Sequence, residues 1–375
     1  MNSMEHSKFT FWRAVLVVIL AAGAYSTWLR FTKGLGAATH LSDRFPWGLW
    51  IGFDVICGVG LAAGGFTLAA IVYVLNLRRF RPVLRPSILT AFLGYGMVAV
   101  ALIFDLGRPY NIWHPLVMWN PRSVMFEVAW CVMLYLAVLA LEFSPAVFER
   151  FGMHTHLKIL ETIAIPLVIV GVLLSTLHQS SLGSLFLIVP AKLHPYWYSP
   201  LLPLLFFVSA VAVGMAMVIF ESNLSARAFG REIEMPLLAA LGKALAVALG
   251  VYGILRFQDL LGRGALVYLQ RPTKETILFA LEIVLGVLLP LVLLLFHRVR
   301  ENRQGLFAAA VLVITGFLLN RLNVSITGLE ASAQAHYFPK WTEIAVTLSM
   351  LGTGFLCFAL ATRYFKVFES NPGGE

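Results

Sequence analysis

The sequence predicts an all-α, polytopic integral membrane protein of about ten transmembrane helices, and three observations carry that expectation. The 375-residue chain is 59% hydrophobic and only 13% charged. Its apolar residues gather into runs of roughly 20, each long enough to cross a hydrocarbon core about 30 Å thick as a helix, the form that satisfies its own backbone in lipid. A few ionisable residues, Asp54, Asp105, Glu127 and Glu282, nevertheless sit inside or at the ends of those runs. At mid-bilayer depth such a group costs about 2.5–3.5 kcal/mol even on insertion scales, so it faces a bundle interior or an aqueous cavity and marks function.

The first run, 11–31, follows Lys8 and Arg13, and its Ala21-Ala22-Gly23-Ala24 resembles a signal-cleavage site. The apolar character continues through Tyr25 to Phe31, which predicts a retained helix rather than a leader. The second run, 47–76, contains Asp54 and the small-residue stretch Gly58-Val59-Gly60-Leu61-Ala62-Ala63-Gly64-Gly65. Placed mid-helix in lipid, that stretch predicts close helix packing and not a nucleotide loop. Run 86–106 ends on Asp105, 123–143 opens around Glu127, and 159–181 closes on His178-Gln179-Ser180-Ser181. Runs 200–221, 236–257, 274–296, 306–324 and 342–363 complete the set. The connections are mostly shorter than about 20 residues and leave no room for a soluble domain. Residues 1–375 are therefore expected to form one transmembrane domain, with any extramembrane cofactor in another chain.

The +9 formal charge does not point to nucleic acid, because of where it lies. Connections on the side of the N-terminus carry Lys8, Arg78, Arg79, Arg81, Arg85, Arg150, Lys158, Arg227, Arg231, Arg298, Arg300, Arg303, Arg363 and Lys366. The other side has Lys33, Arg44, Arg108, Arg122, Lys192, Arg263, Arg271, Lys274 and Lys340. The richer side is then cytoplasmic, and both termini lie there.

Cys57, Cys131 and Cys357 stand singly in apolar runs. They suit helix packing rather than zinc or an iron-sulfur cluster, which need clustered ligands. Among His6, His40, His114, His154, His156, His178, His194, His297 and His336, only His178 approaches a helix interior, and it has no paired histidine. A haem in a bundle needs axial ligands within the helices, so neither haem nor metal is expected in this chain.

The chain also looks internally repeated. Phe104-Asp105-Leu106-Gly107-Arg108-Pro109 closes the third helix as Gln258-Asp259-Leu260-Leu261-Gly262-Arg263-Gly264 closes the seventh, with Asp259 lying 154 residues after Asp105. Glu282 follows Glu127 by 155 residues, and Pro200 follows Pro46 by 154. Four helices separate the copies, so two parallel four-helix bundles are expected, 47–181 and 200–324, with helices 1 and 10 as peripheral additions. Asp54 maps onto Ser209 and the His178 run has no counterpart, so the first bundle is expected to hold the better-equipped polar site.

Four helices of that bundle bring titratable groups to one outward level: Asp54, Asp105 with Arg108, Arg122 with Glu127, and His178 to Ser181. Interfacial ion pairs such as Asp105 with Arg108 are the plain alternative. Asp54 and His178 lack sequence-local partners and are expected to meet, since each is costly to leave unpaired. Glu142, Glu221, Lys243 and Glu282 are candidates for a proton relay.

These residues carry a resemblance. Phe45-Pro46-Trp47-Gly48-Leu49-Trp50-Ile51-Gly52-Phe53-Asp54, Leu84-Arg85-Pro86, Asp105-Leu106-Gly107-Arg108, Ser123-Val124-Met125-Phe126-Glu127, Leu141-Glu142-Phe143, Phe148-Glu149-Arg150, His178-Gln179-Ser180-Ser181-Leu182-Gly183-Ser184, Phe220-Glu221 and Tyr337-Phe338-Pro339 are similar to the NrfD/PsrC-like family of membrane quinone-interacting subunits. Within it the chain resembles the HybB-type membrane subunit, often called a b-type cytochrome, of periplasmic nickel-iron hydrogenases. The resemblance covers essentially the whole chain and is looser in its second half. It implies a haem-free subunit in a bacterial inner membrane, taking electrons from the large and small hydrogenase subunits through a ferredoxin-like iron-sulfur protein to menaquinone or ubiquinone, with proton translocation as a further expectation. Asp54, His178 and Glu127 would then be catalytic, His178 bonding a quinone oxygen and Asp54 orienting it or delivering its proton. Trp47, Trp50, Asp105, Arg108, Gln179 and Ser181 would line the headgroup site.

The family also serves polysulfide, nitrite and molybdoenzyme reductases, which remain alternatives for the partner. A secondary transporter would have a midplane site on matched broken helices. A pure anchor would not explain the charges retained at depth. The purified protein is expected to show no stoichiometric Soret band; its appearance would overturn the histidine reading.

Overall fold

The structure is a computed structural model that describes residues 2–368, with side chains from residue 11; the side chains of His6 and Lys8 lie outside the described residues. Ten of the described helices are long and apolar enough to cross a membrane. They are α1 (Phe11–Lys33), α2 (Trp50–Val74), α3 (Arg78–Asp105), α4 (Val124–Phe151), α5 (His154–Ser184), α6 (Leu202–Phe229), α7 (Met235–Gly262), α8 (Lys274–Leu295), α9 (Arg303–Ala333) and α10 (Trp341–Tyr364). With ten such spans in series, α1 begins and α10 ends at one face, here the terminal face, opposite the outer face.

Several helices outrun the apolar stretch that announced them. α3 starts at Arg78 rather than 86, α4 runs on to Phe151, and α5 begins at His154. Hydropathy marks the lipid-facing part of a helix and not its hydrogen-bonded ends. The extensions carry polar groups that meet at the terminal face, where Arg85 holds Glu149 at 2.6 Å. Local signals set the ends: Ser123 caps α4 by accepting the Phe126 amide, and Gly152 closes it in the left-handed region at φ 65°.

Contacts run α2–α3–α4–α5 and back to α2, and again α6–α7–α8–α9 and back to α6. The two rings join through α2, α5, α6 and α9. α2 and α6 are accordingly the most enclosed spans, 78% and 67% buried, while α1 is 17% buried and faces outward. The small residues of α2 permit this. A Cβ on Gly60 would fall 2.1 Å from the Phe317 ring of α9, and one on Gly65 would fall 2.6 Å from Ala91 of α3. The stretch thus packs helices, as its composition implied.

α1 and α10 lie along one another and α10 packs on α3 and α2. They are more than peripheral additions, because each sends polar side chains inward. α2 is also not a regular helix. Trp50–Cys57 and Ala70–Val74 are π-helical, and between them the Ala63 amide bonds the Gly60 carbonyl instead of continuing the four-residue ladder. That break releases the Val59 carbonyl to accept Gln179 Nε2 of α5 at 3.2 Å. α6, the counterpart of α2 in the other ring, is α-helical throughout. Such π segments and breaks have identifiable local causes and concentrate at functional positions.

α8 and α9 cross backbone to backbone at Gly286 and Gly316, where a Cβ on Gly316 would fall 1.9 Å from the Gly286 Cα. Gly316→Ala is expected to destabilise the detergent-purified protein by about 1–3 kcal/mol through overpacking. Gly250→Ala, at a position with open space around it, should be neutral or stabilising by about 0.5–1 kcal/mol. Thermal unfolding of the two variants checks the crossing.

Candidate functional site

The polar groups expected at one outward level form two neighbouring sets. The first is built on α2, α3, α1 and α10. Asp54 lies in the π-helical opening of α2, half-buried, and its Oδ2 accepts the Thr347 hydroxyl of α10 at 2.7 Å. Oδ1 accepts no hydrogen bond among the described residues. Asp105, at the last turn of α3, stands within electrostatic reach of Asp54, Arg30 and Glu343, and its Oδ1 is buried without a partner. Arg30 of α1 is nearly fully buried and caps the end of α3, donating Nε to the Phe104 carbonyl and a terminal nitrogen to the Leu106 carbonyl, each at 2.6 Å. A cation there also complements the negative end of the helix dipole.

Glu343, in the first turn of α10, braces this set from above. It accepts the amides of His40 at 3.0 Å and Lys340 at 2.8 Å and the hydroxyl of Tyr337, while its backbone carbonyl accepts Trp50 Nε1 at 3.2 Å. Burial and the Glu343 carboxylate push the Tyr337 hydroxyl well above the usual phenol range, which keeps it a donor. Tyr337 in turn accepts the Leu49 amide at 2.8 Å, an approach that leaves no room for a side chain at Gly48.

The second set belongs to α4 and α5. Ser181 donates to Glu127 at 2.6 Å and to the Leu177 carbonyl at 2.8 Å, so two of the sequence candidates do meet. Glu127 is exposed in the first turn of α4, where the helix dipole favours an anion. His178 is fully buried, with neither ring nitrogen bonded. It lies beside Tyr95, ring centroids 5.8 Å apart. Trp47 is half-buried and meets Phe186 edge-on at 5.9 Å.

Two expectations from the sequence, and the ion-pair alternative, need correction. Asp54 is not hydrogen-bonded to His178; its partner is Thr347, on a helix nearly 300 residues away in sequence. Arg108 is exposed and does not pair with Asp105; helix α3 ends at Asp105, so Arg108 is not one turn further along it, and Arg30 supplies the charge instead. Trp50 is buried against Phe104, centroids 5.9 Å apart, and turns its indole to Glu343 rather than to an open crevice. Little in the sequence marks Arg30, Glu343 and Thr347 as site residues, because no repeated or clustered polar pattern accompanies them in their apolar runs. The Tyr337-Phe338-Pro339 motif was the one pointer towards them.

The relay candidates separate as well. Lys243 is exposed on its helix and is not part of a bundle interior. Glu142 sits between α4 and α5 beside Tyr135, and Glu221 lines a 370 Å³ cavity at the terminal face. Glu282 is 2% exposed and fixed by Trp197 at 2.8 Å, Asn320 at 2.7 Å and Asn323 at 3.0 Å. Asn320 also accepts Arg321 at 2.6 Å; Arg321 donates to Ser209 at 2.8 Å and stacks over Phe206 with its guanidinium 3.6 Å from the ring centre. The more completely buried polar network therefore lies in the second ring. Its bonds are satisfied around a cavity of about 30 Å³, enough for one water. The first ring instead keeps unpaired acceptors near its outer end. Among the described residues no three His, Cys, Asp or Glu gather to hold a metal.

A sequence profile of the family described as polysulphide reductase, NrfD, matches residues 37–332. A protein of Nitratidesulfovibrio vulgaris is 42% identical over 366 residues, 95% of this chain and 94% of that one. The probable Ni/Fe-hydrogenase 2 b-type cytochrome subunit of Escherichia coli is 34% identical over 344 residues, 90% of this chain and 87% of the relative. The menaquinone reductase integral membrane subunit of Nitratidesulfovibrio vulgaris is 28% identical over 392 residues, 96% and 92% of the two chains.

Removing the guanidinium of Arg321 would strand the Glu282 network, so Arg321→Leu is expected to cost about 3–5 kcal/mol. The exposed Arg108→Leu should stay within about 0.5 kcal/mol of the parent. Thermal unfolding in detergent separates the two.

Proposed function

Because the chain belongs to the polysulphide reductase NrfD family, we propose that it is the quinone-reactive membrane subunit of a respiratory oxidoreductase complex, inactive alone, whose electrons come from a periplasmic nickel-iron hydrogenase through a ferredoxin-like iron-sulfur subunit docked on the outer face. The Escherichia coli relative's name as a probable Ni/Fe-hydrogenase 2 subunit supports that donor, and the menaquinone reductase relative supports the acceptor. A second reading gives the same membrane chemistry to a different catalytic partner, and the family's own description as a polysulphide reductase favours it. The charge asymmetry between faces supports a bacterial inner membrane with both termini in the cytoplasm.

The carrying observation is Asp54, fixed at one oxygen by Thr347 and unengaged at the other, beside Asp105 with its buried unpaired oxygen. Carboxyl groups so placed fit a ligand with polar ring oxygens on an apolar body, donating to a ring carbonyl when protonated and accepting from a ring hydroxyl when ionised. The bound quinone supplies two carbonyl oxygens that become hydroxyls on uptake of two electrons and two protons. Thr347 holds the Asp54 carboxyl in one rotation, so that Oδ1 is the atom that bonds a ring oxygen and passes the proton. Arg30 offsets the charge of Asp105, and Trp47 supplies an aromatic flank. Glu127 with Ser181, and Gln179, continue the polar wall along α4 and α5. His178 is the one described histidine that is fully buried within a helix, and it has no second histidine facing it, which supports a haem-free subunit.

In the intact complex, Asp54→Asn is expected to cut hydrogen-dependent reduction of a soluble naphthoquinone by about a hundredfold or more, the usual scale for loss of a general acid. Thr347→Val should lower it about tenfold, consistent with one lost charged hydrogen bond. Copurifying chains and their nickel and iron content should be unchanged. Undiminished turnover in Asp54→Asn would sink the site, and a wild-type complex without nickel would transfer the subunit to another partner.

A further inference from the structure

Inside the first ring lies a set of polar groups that the quinone site leaves without a task. The hydroxyls of Tyr95, Tyr135 and Ser175 and both ring nitrogens of His178 are buried and lack a hydrogen-bond partner. None of the four residues is more than 1% exposed. They adjoin one another across α3, α4 and α5. The Tyr95 ring meets that of Tyr135 edge-on with centroids 4.7 Å apart and lies 5.8 Å from the His178 ring. Both tyrosine hydroxyls neighbour Ser175, and Tyr95 also neighbours Gln179 and Tyr135 the Phe66 backbone, without a bond of full geometry to any of them. Glu142 is within electrostatic reach of Tyr135, two helical turns nearer the terminal face. Ser181, bonded to Glu127, lies about one turn beyond His178 towards the outer face.

Five unpaired polar atoms on four buried side chains are too many for a packed apolar core, where such groups find a protein partner or an ordered water. Here the protein partners stand close by but out of bonding geometry, which is the arrangement that bridging water completes. We propose that α3, α4 and α5 enclose a proton wire of side chains and ordered water, running from Glu142 through Tyr135, Ser175 and Tyr95 to His178. Each hydroxyl or water takes a proton on oxygen and releases another from the same oxygen. His178 takes one at one ring nitrogen and releases one from the other. Only O–H and N–H bonds form and break, no electron moves, and rotation of the hydroxyls resets the chain. The proposal rests on the quinone reading for what consumes the proton; given that, protons used near the outer face are drawn from the terminal face. The route is separate from Lys243, which is exposed, and from Glu282, which three donors hold in place.

Two measurements on the intact complex test it. A cryo-EM map fine enough for water should show ordered density joining Tyr95, Tyr135, Ser175 and His178. Hydroxyls bonded directly to one another with no water between would overturn the wire. In the second, dithionite-reduced methyl viologen drives reduction of decylubiquinone, so the natural donor is irrelevant. The double variant Tyr135→Phe with Ser175→Ala removes two hydroxyls and keeps the shape of the core. Its kcat is expected to fall about tenfold or more, with KM unchanged and a larger solvent deuterium effect, as for a slowed proton transfer. Wild-type kcat in that variant, folded to the parent melting temperature, would overturn the proposal. A wild-type complex unable to reduce either decylubiquinone or a soluble naphthoquinone would sink the quinone reading instead, and the water density alone would then decide the wire.

Discussion

Hydrocarbon offers a polar side chain nothing to bond, and an unsatisfied amide or hydroxyl moved into it costs roughly 2–7 kcal/mol depending on the reference state. Among the described residues Arg30, Glu282 and Arg321 are accordingly turned inward, and the helices are arranged around those meetings, while Lys243 stays exposed on its helix. Arg321 is spread over Asn320, Ser209, the Phe206 carbonyl and two aromatic faces; Glu282 is held by three donors; Arg30 closes the end of α3. The small residues that let α2, α3 and α9 touch serve the same end, since helices in lipid associate by packing and hydrogen bonds rather than by burying apolar surface. Against that constraint the chain leaves polar atoms unmatched at the outer end of the first ring, at Asp54 and Asp105, where the proposed quinone site lies.

The two rings show how one pattern diverges. Asp259 and Arg263 are four residues apart at the end of α7 and form a 2.6 Å salt bridge, which Ser199 joins. At the equivalent place α3 stops at Asp105, the helical spacing is lost, and Arg108 swings into solvent. Asp54 and its counterpart Ser209 diverge similarly: Ser209 is absorbed into the Arg321 network, whereas Asp54 keeps a free oxygen. The second ring has become a closed polar knot that holds helices together, and the first retains uncommitted groups. Unpaired atoms occur in the second ring too, at Arg256 and Glu221, but the network around Glu282 and Arg321 is bonded throughout, whereas the outer end of the first ring keeps carboxyl oxygens uncommitted.

Helix number, their identity as spanning segments and the close packing of the Gly58 to Gly65 stretch were legible in composition alone, because lipid imposes length and apolarity on every crossing. The meeting of Glu127 with Ser181 was legible from their common level on adjacent helices. The partners of Asp54 and Asp105 were not. Thr347 and Glu343 lie in a tenth helix with no counterpart in the repeat, and Arg30 is the single charge late in a run that reads as an outer anchor. Pairings of that kind depend on which helix docks beside α2 and α3, and hydropathy carries no such information. The π-helical segments of α2 were not legible either, since their apolar residues read as ordinary helix.

The claim on which the account turns is that Asp54 and its neighbours at the outer end of the first ring receive a quinone headgroup. A cryo-EM map of the intact complex with a tight-binding quinone analogue tests this most directly. The account predicts headgroup density at that level, with a ring oxygen within hydrogen-bonding distance of Asp54 Oδ1. Density instead beside Glu282 and Arg321, or in the cavity at the terminal face lined by Glu221, would contradict it.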